Sequence, residues 1–358
     1  MTALPSSQTL YRAVAERDGS FEGLFVVAVR TTGIFCRPTC SARTPLRVNV
    51  EYFRHAEDAQ AAGYRPCKRC RPTDVSGEHP AWVTGLLERL ERTPAERITD
   101  RDLRAMGIDP VKTRRYFRHH FAMTFHAYQR SRRLGMALDS INKGGDLMHV
   151  AFNSGFESNS GFREAFRQLF GQPPGRARGA RHISASLVTT PIGPFIAAAT
   201  PEAVCMLEFG DRPALKTQAA TLTRWFDLPV VPGTNDPLER LRQELDEYFA
   251  GRRTRFTVPI AIAGTPFQQA VWERLLAIPF GETTTYAAVA ADIGRPGAQR
   301  AVGKANGDNR LAVVIPCHRV INSQGKLHGY GGGLWRKRFL LEHELSVRQK
   351  RESNGSGD

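Results

Sequence analysis

At 358 residues and 41% hydrophobic, the chain is too long for one ordinary domain and can bury two or three separate cores. A net charge of +15 and a pI near 10.0 fit a nucleic-acid partner. No run of about eighteen apolar residues occurs, which excludes a membrane-spanning helix. Residues 1–10 lack the basic start and apolar run of a secretory leader, so a reducing cytoplasm is the expected compartment.

The first chemistry-bearing pattern is a pair of cysteine pairs, Cys36-Arg37-Pro38-Thr39-Cys40 and Cys67-Lys68-Arg69-Cys70, with 26 residues between them. Such spacing suits one tetrahedral zinc ion held by four thiolates. Two disulfides or unrelated thiols are the alternatives, and a reducing compartment disfavours the disulfides. Residues 31–38 (TTGIFCRP) and 61–70 (AAGYRPCKRC) resemble the amino-terminal domain of the Ada family of bacterial adaptive-response regulators. The resemblance implies zinc on Cys36, Cys40, Cys67 and Cys70, and makes Cys36 the acceptor that takes a methyl group from a methylated DNA phosphate. A metal-bound thiolate is deprotonated at neutral pH and stays nucleophilic. Four thiolates on one Zn²⁺ carry a net double negative charge, which one methylation halves. Arg37, Arg43, Arg65, Lys68, Arg69 and Arg71 would then meet DNA phosphates with less opposition, so repair at Cys36 is expected to switch on DNA binding. This domain is assigned to residues 1–76, with a connecting helix assigned to 77–95, whose first residues, 77–80, read as a weak linker.

Residues 98–106, Gly107 and then Asp109-Pro110 opening a basic run read as helix, turn, helix, with Asp109 as cap and Pro110 at the first helical position. A second copy follows at 147–152, with the turn Asn153-Ser154-Gly155 and a helix from Glu157 to Phe170; Gly155 supplies the left-handed residue such a turn favours. Charged faces like these are ordinarily solvated helix surfaces. Residues 150–160 and 166–171, however, resemble the AraC-type DNA-binding domain. On that resemblance Lys112, Arg114, Arg115 and Arg118 of the first unit, and Ser158, Asn159, Ser160, Arg163 and Arg167 of the second, face a major groove. Gly161, inside the second recognition helix, costs about 1 kcal/mol relative to Ala. Phe125 stands where the family often has proline. The unit is assigned to 96–178 and ends in a basic stretch, 172–179, expected to be a flexible linker.

Residues 183–262 alternate in places and predict a small sheet beside a helix near 238–249. In this stretch Cys205 lacks a nearby base and reads as a small core hydrophobe. Trp225, Trp272 and Trp335 read as core or interface residues. The last unit, 263–348, holds Ile315-Pro316-Cys317-His318-Arg319-Val320 after an apolar run at 311–315, and Glu344 near its end. A thiol attacks as thiolate, and an imidazole backed by a carboxylate can take its proton, although Cys-His alone equally suits a structural cysteine in a buried turn. Residues 267–272, 278–286 and 315–320 closely resemble the alkylguanine-DNA alkyltransferases, over roughly 184–345. The resemblance makes Cys317 the acceptor for an alkyl group from O6 of guanine. It links His318 to that thiol through a water and has Glu344 orient the imidazole. Asn309 would brace the turn, Tyr286 and Tyr330 line the base pocket, and Arg300 fill the space left by the flipped nucleotide. The family's Asn-Pro step is Asn309-Arg310 here, which predicts a less rigid turn. A serine common after the second tyrosine is Gly331, whose N–H could serve the base oxygen. Residues 349–358 are expected to form a disordered tail.

The expected fold is therefore multidomain α+β: a small zinc-binding α/β domain, an all-α double helix-turn-helix domain, and an α+β alkyltransferase built from a small sheet subdomain and a helical subdomain with its own helix-turn-helix. The expected function is single-turnover repair of O6-methylguanine, and of O4-methylthymine, at Cys317 and of methylphosphotriesters at Cys36, joined to transcription control. Zinc is the one cofactor, double-stranded DNA and RNA polymerase are the partners, and a nucleoid-associated monomer is the expected state. The alternatives are a zinc-dependent AraC-type regulator with little or no guanine repair, and a thiol hydrolase using Cys317 and His318. Turnover on a small substrate separates the hydrolase from a suicide acceptor.

Overall fold

Pairing of a parallel strand with the end of a short hairpin brings the two cysteine pairs together. The computed structural model describes residues 4–18, 21, 25–74, 80–121, 123–210, 215–325, 327 and 329–355. After α1 (Ser7–Ala15), strands β1 (Val26–Val29), β2 (Ile34–Cys36), β3 (Val50–Phe53) and β4 (Arg65–Pro66) form a sheet in the order β3-β1-β2-β4, with α2 (Ala56–Ala61) before β4. Successive β1 residues face opposite sides, as strand geometry requires. Val27 packs with Leu10, Ala13 and Val14 of α1, and Val26 and Ala28 pack with Phe35 and Ala59 on the other face. Gly33 (φ +64°) closes the β1–β2 turn. The parallel β2–β4 pairing sets Phe35 opposite Pro66 and leaves Cys36 and Cys67 emerging side by side.

The middle unit is all-helical. It comprises α3 (Ala81–Arg92), α4 (Asp100–Ala105), α5 (Pro110–His120), α6 (Phe125–Asn142), α7 (Leu147–Asn153) and α8 (Asn159–Phe170). Two cores share α6. Phe125 and Tyr128 at its start pack with Leu86, Leu103 and Phe117, while Leu134, Leu138 and Ile141 pack with Val150, Phe162 and Phe166. Polar side chains on α6 tie both halves to it. Buried Gln129 bonds both the N–H (2.8 Å) and the carbonyl (3.0 Å) of Ile98, and Arg133 Nη1 donates to the Gly155 carbonyl at 2.6 Å.

The carboxy-terminal half begins with β5 (Ile183–Val188), β6 (Phe195–Ala199), β7 (Val204–Phe209), α9 (Leu215–Phe226), β8 (Val230–Pro232) and α10 (Asp236–Phe249), with sheet order β7-β6-β5-β8. There follow α11 (Pro266–Leu276), β9 (Thr284–Thr285), α12 (Tyr286–Asp292), α13 (Gln299–Gly307), β10 (Val320–Ile321) and α14 (Leu334–Gly355). One hydrophobic core runs through both parts, joining Leu207, Leu241 and Tyr248 to Trp272, Val302, Ile315 and Leu340. Strand β7 also grips the segment before Cys317. Leu207 N–H donates to the Arg310 carbonyl at 2.7 Å, and Ala312 N–H to the Leu207 carbonyl at 2.9 Å.

Several expectations are corrected. The stretch 172–179 is ordered: Pro174–Arg176 form a 3₁₀ turn, Ala177 is fully buried, Gly179 N–H donates to Asn142 Oδ1 (2.8 Å), and Asn142 Nδ2 donates to the Ala180 carbonyl (2.9 Å). Helix α6 then lies against β8, where a Cβ on Gly135 would come within 2.5 Å of Val231. Phe125 is a buried first residue of α6 behind the Thr124 cap, so it supplies core volume where proline would supply only a fixed φ. Trp225 is 45% exposed on α9, whereas Trp272 is buried with its indole N–H on the Ala305 carbonyl (2.9 Å). The expected disordered tail is helical as far as Gly355, its Arg351 guanidinium bonding the Gly251 and Arg252 carbonyls; residues 356–358 lie outside the described residues. The weak linker at 77–80 also lies outside them except for Pro80, the N-cap of α3.

Gly155 (φ +72°) sits where a Cβ would approach the Ala95 carbonyl oxygen to 2.3 Å. Gly155→Ala is expected to destabilise the helix-turn-helix unit by more than about 1 kcal/mol, read as a lowered unfolding midpoint in urea.

Candidate active site and zinc centre

Cys36 ends β2, Cys40 closes the turn after it (its N–H donates to the Arg37 carbonyl, 3.1 Å), and Cys67 follows β4 with its N–H on the Phe35 carbonyl (3.0 Å). All four sulfurs lie within 4.8 Å of one another, against ~3.8 Å between ligands of an ideal tetrahedral zinc–thiolate centre. Arg37 N–H points at Cys70 Sγ at 3.4 Å. So close a set cannot ionise fully on its own. The hydrogen bond between Cys36 and Cys70 raises the Cys36 pKa and brings that of Cys70 down to about 5, so the set shares protons until a cation replaces them. The donor set fits one zinc ion. Around it Arg43, Arg65, Lys68, Arg69 and Arg71 are exposed, while Arg37 is half-buried with Nη2 on the Arg71 carbonyl at 3.0 Å.

In the helix-turn-helix unit, α5 starts as expected, with Asp109 capping Val111 N–H at 2.8 Å. Lys112, Arg114, Arg115 and Arg118 are exposed on it, although Lys112 lies over the Trp82 ring and Arg114 pairs with Asp100 at 3.4 Å. Helix α8 starts two residues later than expected, because Ser158 is its N-cap and accepts from Gly161 N–H at 3.2 Å. Gly161 is thus a first-turn residue engaged in the cap, where a Cβ would lie 3.0 Å from Ser158 Oγ, rather than a weak interior position. Asn159, Ser160 and Arg163 are exposed on the same helix, and Arg167 is held by Glu164 at 2.8 Å.

The carboxy-terminal site is buried. Cys317 opens a 3₁₀ turn, Cys317–Arg319, and Asn309 Nδ2 approaches its Sγ at 3.1 Å and the Ile315 carbonyl at 2.9 Å, while Asn309 Oδ1 accepts from Leu311 N–H at 2.9 Å. These bonds brace the turn without the proline. Val313 adopts φ +70°, a costly conformation for a β-branched residue that this bracing and full burial hold in place. His318 Nε2 meets Glu344 Oε1 at 2.8 Å with both side chains fully buried, and His318 Nδ1 has no hydrogen-bond partner among the described residues. Glu344 also accepts from Arg319 Nε and Nη2 (2.9 Å each), Gly281 N–H (3.0 Å) and Tyr248 Oη (2.7 Å). Burial raises the carboxyl's pKa, but His318 and then Arg319 outweigh it and hold the group far below the usual carboxylate range. Burial lowers the His318 pKa against the pull of Glu344, leaving a neutral imidazole.

Tyr286 begins α12, half-buried, its phenol raised by burial and by the nearby Cys317 charge. Helices α12 and α13, joined through Gly294 (φ +69°), carry Arg300 exposed near the start of α13. Tyr330 packs edge-on to Phe209 at 5.9 Å. Lys337, Arg319 and Tyr248 were missed in the sequence. Lys337 Nζ is buried on the Val320 carbonyl (2.7 Å) and 5.9 Å from the Tyr286 ring. Burial draws its pKa down to about 8 while Cys317 pulls the other way, so the amine favours a thiolate there. Its signal was a lysine sharing one helical face with Leu340 and Glu344.

Four family models match the chain: "Metal binding domain of Ada" over 9–73, "Helix-turn-helix domain" over 103–180, and the ribonuclease-like (183–262) and DNA-binding (266–346) domains of 6-O-methylguanine DNA methyltransferase. The chain is 35% identical to the bifunctional transcriptional activator/DNA repair enzyme Ada of Escherichia coli over 352 residues, covering 95% of this chain and 97% of that one. It is 58% identical over 103 residues to a methylated-DNA–protein-cysteine methyltransferase of Mycobacterium bovis, covering 29% of this chain and 62% of that one. Among solved structures, Mycobacterium tuberculosis OGT in complex with DNA aligns with TM-score 0.40 and 42% identity over 46% of this chain and 94% of that one. The matches place a metal-binding module, a helix-turn-helix module and a two-part methyltransferase module along one chain. The chain belongs to the Ada family.

Among the described residues, no helix is long and apolar enough to cross a membrane. Because His318 is held neutral, the unfolded chain takes up a proton at that residue before the folded one does. The stability it contributes is present above its ordinary value of 6.5 and is lost as pH falls from there through the folded value. Unfolding midpoints should fall between pH 6.5 and 5.5, and that step should be smaller in His318→Gln.

Proposed function

We propose that the protein repairs methylated DNA at two thiols, each once, and couples one of those repairs to promoter binding. The observation that carries the reading is the buried His318–Glu344 pair next in sequence to Cys317, whose sulfur meets the Asn309 amide and acts on Lys337, in a chain that also holds the four-sulfur centre. The stacked base must first leave the duplex, with Tyr286 and Tyr330 receiving it and Arg300 filling the gap. The Cys317 proton passes to His318. The sulfur attacks the methyl carbon, a C–S bond forms as the O6–CH₃ bond breaks, and the departing guanine takes a proton from Tyr286. Burial keeps that phenol protonated and able to donate. O4-methylthymine presents the same chemistry. The thioether is not reversed, so turnover stops.

At the other end Cys36 accepts a methyl from a DNA phosphotriester. Bound zinc supplies thiolate character to Cys36, Cys40, Cys67 and Cys70. Loss of one negative charge there lets Arg43, Arg65, Lys68 and their neighbours hold the backbone, while α5 and α8 read base edges through Arg114, Arg115, Arg118, Ser158, Asn159 and Arg163. Double-stranded DNA is the partner, with RNA polymerase as a second. The protein works as a monomer on the nucleoid in the cytoplasm. The assigned units are 1–76, 96–178 and, for the two parts of the alkyltransferase, 183–262 and 263–348, with 77–95 connecting the first two.

Cys317→Ala is expected to abolish O6-methylguanine removal and leave phosphotriester repair intact. Guanine demethylated stoichiometrically by that variant would remove Cys317 as acceptor. Protein methylated at Cys36 is expected to bind promoter DNA more tightly than unmodified protein, with the gain shrinking as salt rises, because screening at ~0.15 M acts over about 8 Å. Titration of labelled promoter at two ionic strengths reads this, and equal affinities would leave repair without a switch.

A further inference from the structure

Tyr248 lies on α10, in the sheet part of the alkyltransferase half, where the sequence marks no residue for the reaction. It is fully buried, and its ring packs against Phe256, Phe280 and His343 at centroid distances of 5.4, 6.0 and 5.3 Å. Its hydroxyl donates to Glu344 Oε1 at 2.7 Å, the same oxygen that faces His318 Nε2 at 2.8 Å and Arg319 Nη2 at 2.9 Å. The other titratable or charged groups around this cluster are Lys337 and His343 from α14 and Tyr330 from the loop before it, with Cys317 next in sequence to His318. His343 Nε2 is engaged with the Tyr248 carbonyl at 2.8 Å.

We propose that Tyr248 is a positioning residue for methyl transfer at Cys317, sharing Glu344 Oε1 with His318 and thereby setting the tilt and proton affinity of the imidazole. The inference rests on the reading of Cys317 as acceptor. A carboxylate oxygen with three donors is a weaker base than one with two. Removing the phenol strengthens the pull of Glu344 on the Nε2 proton, which stabilises imidazolium and raises the pH at which His318 titrates. Only neutral imidazole can take the thiol proton, so the loss falls on the acid side of the rate profile. Phenylalanine fills the same volume, which separates the hydroxyl's effect from packing.

The test measures single-turnover methyl transfer from an O6-methylguanine duplex to the full chain across pH 5 to 8. The comparison is between wild type, Tyr248→Phe and protein carrying 3-fluorotyrosine at 248, a more acidic phenol and stronger donor. Tyr248→Phe should move the acid limb up by roughly half a pH unit, about threefold in rate on that limb, with methyl stoichiometry unchanged. The fluorinated residue should move the limb down, and it keeps the hydroxyl in place if the Phe variant folds poorly. A limb that stays fixed in the fluorinated protein, or moves the wrong way in either variant, overturns the inference whatever happens to the melting temperature. Absence of methyl on Cys317 in the wild-type chain would instead bring down the reading of the site itself.

Discussion

A cysteine takes a methyl group only as a thiolate, and a thiolate is a negative charge that a protein must keep from being either protonated or buried alone. This chain meets that constraint in two ways. At the amino-terminal end the charge is shared among four crowded sulfurs whose mutual hydrogen bonds drive Cys36 and Cys70 in opposite directions until a cation takes the place of the protons. At the carboxy-terminal end one sulfur, next in sequence to a neutral imidazole, meets an asparagine amide and acts on a lysine whose pKa burial draws down. The first arrangement is half-buried and surrounded by cations that suit a phosphate. The second is enclosed and suits a flipped base.

Burying Glu344 is what makes the second site expensive. An isolated carboxylate in a protein interior costs several kcal/mol, and the cost falls only when its lone pairs are all engaged. Arg319 contributes two of the donors, and Gly281, Tyr248 and His318 the others, from separate stretches of the chain. The fold of the whole carboxy-terminal half can be read from this need. Helix α14 brings Lys337, Leu340 and Glu344 on one face, α10 brings Tyr248, and β7 clamps the Arg310–Ala312 backbone so that Val313 holds its unusual φ. Removing one donor therefore perturbs the imidazole as well as the stability.

Local patterns made much of this legible in the sequence. The four zinc-site cysteines announce themselves by spacing and the two helix-turn-helix units by Asp109-Pro110 and by Gly155, whereas Cys317-His318 alone equally suits a structural turn and stands out only through flanking residues that resemble a known family. What escaped is what the chain assembles at long range. Tyr248 and Glu344 are 96 positions apart, and nothing in the apolar stripe of α10 marks one aromatic as a donor. The stretch 172–179 looked like a linker because its glycines, prolines and arginines are loop residues, yet the Asn142 side chain supplies the backbone partners that order it. Gly135 is likewise uninformative until β8 is seen against it.

The two thiols differ in every neighbour but are assigned the same irreversible chemistry, so intact-mass and peptide mass spectrometry after exposure to excess methylated duplex tests the account most directly. The account predicts a gain of two methyl groups at saturation, one on the peptide carrying Cys36 and one on that carrying Cys317, with Cys40, Cys67, Cys70 and Cys205 unmodified and DNA repair ceasing at that point. Methyl groups on any other cysteine, or continued demethylation with an unmodified protein mass, would contradict it.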